Sequence, residues 1–326
     1  MIPIAIKNRS IITNYANSVI SFIENNTDRK IANLNDIENA INDLSSGFFT
    51  FFDLLQMNFD ELRTKVKPLY ISYKKQIPQT IISQLDQLKR IPWKKKTQSQ
   101  KELQKHLKNI TFESFIDYYK NFFNRYGLTF MNDIGIKVCP YCNRNYIYNA
   151  SSSRTSEFDH FIPKEEFPIF ALCFYNLIPS CKVCNHIKSD KLLSYLINPY
   201  DKNLNNNSFI FDAKPTGYGQ FNLELKASTS NLKKAEDTLN NDLQLKELYK
   251  YHSYLAEEIY QKSLMLNDSY LSSLRKDFFD NFPHYIDGDF RRFILGNYGD
   301  DSDYSQRTLS KATHDCAVQF KLLQKI

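Results

Sequence analysis

Apolar and aromatic residues recur along this chain mostly at helical spacing. Phe112, Phe115, Ile116, Tyr119, Phe122, Phe123 and Tyr126 share one face, which predicts a helix that ends at Gly127. Asn58-Phe-Asp-Glu61 has the form of an N-cap with Glu at the third helical position, so another helix is expected to start there. Leu245, Leu248, Tyr249, His252, Leu255, Ala256 and Ile259 predict one long amphipathic helix with His252 as a satisfied core or interface residue, and residues 305–326 predict a terminal helix. Strand patterns are fewer. Glu157-Phe158-Asp159-His160 alternates and is closed off by Pro163. Two alternating segments, 208–212 and 220–226, flank Lys214-Pro-Thr-Gly-Tyr-Gly219 as the arms of a hairpin would. The pattern predicts a mainly α protein with a small α+β element.

Composition agrees with a chain that buries sizeable cores: 326 residues, 42% of them hydrophobic, with 25 Phe, 21 Tyr and only 8 Gly. No apolar run approaches the roughly 18–20 residues of a membrane span, so no membrane partner is expected. Met1-Ile-Pro-Ile-Ala-Ile lacks the charged and apolar regions of a secretory leader, so the expected location is the cytoplasm. Charge adds one local feature. Between Ile81 and Ile110 eight basic residues, among them Lys94, Lys95 and Lys96 beside the only Trp, Trp93, meet two acidic ones. A basic segment with an aromatic suits contact with a nucleic-acid backbone, and it equally suits a solvated charged surface.

The cysteines change the picture most. Cys139-Pro-Tyr-Cys142 and Cys181-Lys-Val-Cys184 are two Cys-x-x-Cys pairs, the spacing that completes a closed tetrahedral zinc shell. The gap between the pairs exceeds what a compact zinc ribbon needs, so something is built inside it. Cys173, in Phe170-Ala-Leu-Cys-Phe-Tyr175, and Cys316 fall outside the pattern, and Cys173 reads as a buried apolar residue.

The insert holds Asp159-His160 and Asn176, and Asn185 and Lys188 follow the last cysteine. Phosphodiester hydrolysis needs a base to deprotonate water and a metal to stabilise charge on the phosphate. His160, near its ordinary pKa, can be that base. Asp159 and Asn185 offer the hard oxygens that Mg²⁺ prefers. Asn176 can fix the imidazole by a hydrogen bond or can be a turn residue. Lys188 can touch a phosphate or belong to a solvated helix face.

Together these residues resemble the HNH, or ββα-metal, nucleases in their zinc-supported form. The stretch from Asn176 through Asn185-His-Ile-Lys188 also resembles the HNH module of RNA-guided CRISPR nucleases. Asp159-His-Phe-Ile-Pro-Lys164 with Tyr175-Asn-Leu-Ile-Pro-Ser-Cys181 resembles the HNH partners of ATPases in Septu-type anti-phage systems. The resemblance covers residues 138–202. It implies a ββα-metal core stapled by a four-cysteine zinc site and flanked by helical regions. It assigns His160 as general base, Asn176 as the residue orienting it, and Asp159 and Asn185 as ligands of catalytic Mg²⁺ or Mn²⁺. His186, beside Asn185, is the alternative third ligand. The implied organisation is a helical region at 1–130 for docking or nucleic-acid contact, the nuclease unit at 131–202, and a hairpin followed by helices at 203–326. The implied function is a metal-dependent endonuclease acting on DNA rather than RNA, an antiviral effector with an ATPase partner. A zinc-ordered interaction module without catalysis and an RNA-directed nuclease are the alternatives.

Overall fold

The structure, a computed structural model, describes residues 1–6, 8–25, 33–150 and 155–325. It is mainly helical, and among the described residues its named strands form two separate antiparallel pairs. One continuous hydrophobic core runs from Met1 to Leu322 and draws on residues from 1–130, 131–202 and 203–326 alike. Its centre is aromatic. Tyr15, on the helix Ser10–Glu24, stacks on Phe130 of the helix Ser114–Ile134 at 4.5 Å, and Phe130 stacks in turn on Phe158 at 5.2 Å. The Tyr15 hydroxyl donates to the Leu172 carbonyl at 2.7 Å, which joins the first helix to the loop that carries the candidate chemistry.

The Asn58 cap forms as its sequence predicts: the side chain accepts from Glu61 N at 3.0 Å, and Glu61 accepts from Asn58 N at 3.2 Å. The aromatic helix does not stop at Gly127. A mid-helix Gly costs about 1 kcal/mol relative to Ala, and burial of Phe130, Met131 and Ile134 beyond it outweighs that. The helix ends at Gly135, whose φ of +73° supplies the left-handed cap.

The basic segment folds as a helical hairpin, Gln79–Arg90 against Gln98–Ile110, with Trp93–Lys95 in the connection. It has its own small core of Leu85, Leu88 and Leu107, separate from the main one.

In the last third, the strands Phe209–Gly217 and Gln220–Ala227 make a longer hairpin than predicted. Pairing continues to Pro215 opposite Phe221, and the reversal is confined to the residues around Tyr218, with Gly219 at φ +67°. A two-stranded ribbon has only edges, so the missing Pro N–H is tolerated. The predicted long helix is broken into Leu245–Tyr249, a tight turn at Lys250–His252, and Ser253–Met265. The break lets the buried Tyr249 donate to the Cys142 carbonyl at 2.5 Å, while Leu255, Ala256 and Ile259 stay in the core. The terminal helix is shorter than predicted, Ser310–Gln319, and Ile326 lies outside the described residues.

Candidate functional site

The two cysteine pairs converge. The Sγ atoms of Cys139, Cys142, Cys181 and Cys184 are buried and lie within 4.8 Å of one another, and none is in a disulfide. A tetrahedral shell with Zn–S bonds near 2.3 Å has sulfurs roughly 3.8 Å apart, so four thiolates here can close on a metal such as zinc. The first knuckle turns through Asn143, which is buried at φ +49°. Arg144 N and Asn145 Nδ2 donate to Cys142 and Cys181 sulfur, each at 3.3 Å, and Cys184 N approaches Cys181 sulfur at 3.5 Å. Donors aimed at sulfur favour the thiolate that a metal requires.

Between the pairs, β1 (Glu157–His160) pairs antiparallel with β2 (Leu177–Ser180), and the short helix Lys182–Lys188 follows at once. Alternation on β1 sends Phe158 into the aromatic core, 4.9 Å from Phe123, and turns Glu157 and Asp159 to the other face, toward that helix. The result is a strand–strand–helix unit whose helix begins at a cysteine of the cluster. Cys173, as expected, is fully buried.

Asp159 is 1% exposed and held on both oxygens: Lys188 Nζ lies 3.0 Å from Oδ1 and the Tyr141 hydroxyl donates to Oδ2 at 2.7 Å. Burial pushes its carboxyl pKa up and the Lys188 ammonium opposes that. His160 is also buried, with Nε2 3.1 Å from the Ala171 carbonyl and Tyr119 packed edge-on at 4.4 Å. A carbonyl only accepts, so Nε2 carries the proton and Nδ1 is the ring's acceptor. Burial, reinforced by Lys164, pushes the imidazole pKa from 6.5 down to about 3, below the ordinary value expected from the sequence. The ring is neutral at pH 7.

Four sequence expectations are corrected. Asn176 does not touch the imidazole. It is buried and clamps the loop after β1, accepting from Ile162 N at 2.7 Å and donating to the Ile162 and Phe170 carbonyls at 3.0 Å each. That clamp shapes the loop whose Ala171 carbonyl holds His160, so its influence is indirect. Lys188 is neither a solvated face nor a free phosphate contact. It is fully buried, and besides Asp159 it donates to the His160 carbonyl at 2.7 Å. Lys96 is buried too and donates to the Ile91 carbonyl, whereas Lys94 and Lys95 are exposed. Elsewhere in the basic segment Lys89 pairs with Glu113 at 2.7 Å and Lys108 with Asp117 at 2.5 Å, which reduces its free charge. His252 is not satisfied either: neither ring nitrogen has a hydrogen-bond partner among the described residues.

Comparison with protein-family models, with curated proteins and with solved structures gives no match for this chain. The geometry therefore stands on its own. Asp159, His160 and Asn185 line one open cleft of about 820 Å³. His186 also lines it but is exposed, whereas Asn185 is half-buried and donates to Glu157 Oε2 at 2.6 Å. Lys164 and Lys182 line the same cleft. Glu157, Lys164 and Lys182 line the cleft without having been singled out by the sequence. Only Glu157 had a signal, its place two residues before Asp159 on an alternating strand. Among the described residues no helix is long and apolar enough to cross a membrane.

Proposed function

We propose that this chain is a metal-dependent endonuclease of the HNH type, with structural zinc on the four cysteines and Mg²⁺ or Mn²⁺ in the cleft. The observation that carries the reading is the meeting of Asp159, a neutral His160 and Asn185 in one cleft on a strand–strand–helix unit that adjoins the cysteine cluster. The donor set fits a hard divalent cation: Asp159 has carboxylate lone pairs beyond those used by Lys188 and Tyr141, and Asn185 Oδ1 is a neutral oxygen. Asp159 and Asn185 would hold the ion, which when bound stabilises negative charge on the scissile phosphate and the leaving oxygen.

The chain's own residues do the rest. His160, fixed through Nε2 on Ala171, takes a proton from the attacking water at Nδ1. A phosphodiester in the cleft brings negative charge that acts on the imidazole against Lys164 and Lys188. Lys164 and Lys182, on the cleft wall, would meet substrate phosphates. Lys94 and Lys95, in the connection of the separate helical hairpin, supply a more remote backbone contact. DNA is the first substrate to test and RNA the second. The sequence resemblance favours an anti-phage role with an ATPase partner.

The test is cleavage of plasmid DNA and of single-stranded RNA by zinc-loaded protein with added Mg²⁺ or Mn²⁺, with and without a copurifying partner. Metal-dependent nicking that His160→Ala abolishes supports the reading. Intact substrates in every arm, with zinc retained, overturn it in favour of an interaction module.

A further inference from the structure

The carboxylate of Glu157 holds the side-chain amide of Asn185. Glu157 and Asp159 stand two residues apart on one face of β1, and both line the cleft. Glu157 Oε2 accepts from Asn185 Nδ2 at 2.6 Å. An amide has two ends of nearly the same shape and opposite chemistry. The oxygen can ligate a hard cation and the NH₂ group cannot. A carboxylate accepts only, so it captures the NH₂ end and leaves Oδ1 for a cation.

We infer that Glu157 is a positioning residue that sets the amide of Asn185 with its oxygen toward the metal. The inference rests on the proposed metal site. Glu157 itself does not ligate; it acts through Asn185 in the way that outer partners orient the ligands of other metal sites. An aspartate in place of Asn185 would need no such partner, because its two oxygens are equivalent.

That difference supplies the experiment, a double-mutant cycle read by Mn²⁺ binding to zinc-loaded protein in calorimetry or electron paramagnetic resonance. Glu157→Gln offers an amide in place of the carboxylate and no longer dictates which end of Asn185 it holds. With Asn185 present it is expected to weaken Mn²⁺ binding about 10–100-fold, the usual cost of losing an orienting partner, with an unchanged thermal midpoint. In the Asn185→Asp background the same change is expected to leave Mn²⁺ affinity unchanged or tighter. Equal weakening in both backgrounds makes Glu157 a ligand and overturns the positioning role. No weakening in either background overturns it as well. Asn185→Ala separates this failure from that of the site: if it leaves wild-type Mn²⁺ binding untouched, the metal site itself is misassigned and both readings fall.

Discussion

The cysteine cluster and the cleft share one short helix and differ in every property that decides reactivity. The cluster offers four sulfurs, all buried, ringed by N–H donors and the Tyr249 hydroxyl bond to Cys142. The cleft offers oxygen and the imidazoles of His160 and His186, is open to solvent, and has both cationic and acidic side chains on its wall. A closed sulfur shell holds a metal for the fold, and an open oxygen site leaves positions for water and substrate. Cys181 and Cys184 fix the start of the helix on which Asn185 sits, so the cluster sets where one wall of the cleft stands.

The largest expected effect tests that dependence. Structural zinc contributes about 10–16 kcal/mol in zinc-finger peptides, so Cys181→Ser is expected to unfold residues 138–202 and lose the cleft with them. Metal analysis should give one zinc per wild-type chain, and hydrogen exchange should show the loss of protection. A variant that stays protected there, with well under one metal per chain, would break the comparison.

Lys188→Met comes next. It leaves the Asp159 carboxylate buried without its cation, which costs roughly 3–5 kcal/mol, and denaturant melts should register it. Lys182→Met, in the same helix but exposed, should change stability by no more than about 0.5 kcal/mol. Equal effects would mean that the buried pair does not hold the cleft.

His160→Ala should keep zinc and fold while cutting cleavage by at least about 10²-fold. The same residue makes stability depend on pH. Its folded pKa of about 3 lies below the unfolded 6.5, so the unfolded chain binds the extra proton between those values. The contribution of a neutral His160 is therefore complete above pH 6.5 and is lost as pH falls toward 3. Melts across that window should be flatter for His160→Ala than for wild type.

The smallest effect is at the helical hairpin. Reversing Lys94 and Lys95 to Glu should weaken nucleic-acid binding for all sequences alike and flatten its salt dependence by about 0.9 in slope per lost phosphate contact. Cleavage at saturating substrate should not change. Unaltered binding with loss of a copurified protein would assign the hairpin to docking.

Local signals were legible wherever the chemistry is local. Cys-x-x-Cys spacing anticipates the cluster, the Asn58 box its helix start, and the alternation at 157–160 its strand. What escaped reading depends on residues far away in sequence. Lys188 looks like any helix-surface lysine until Asp159, 29 positions earlier, is folded against it. Asn176 is spent on carbonyls 6 and 14 residues back. Gly127 and the break after Tyr249 are settled by what packs against them, which no window of propensity contains.

Asn143 carries a consequence in time. From the first knuckle it donates to the Tyr304 carbonyl at 2.8 Å, accepts from Lys311 N at 3.0 Å, and through its own carbonyl accepts from Leu309 N at 2.6 Å. Lys311 follows it by 168 residues. At roughly 5–20 residues per second, a ribosome needs on the order of ten seconds or more to make that stretch. For that interval the knuckle lacks the segment to which Asn143 bonds in the folded chain. Metal capture on the nascent chain is what can hold it in shape until the last helix arrives.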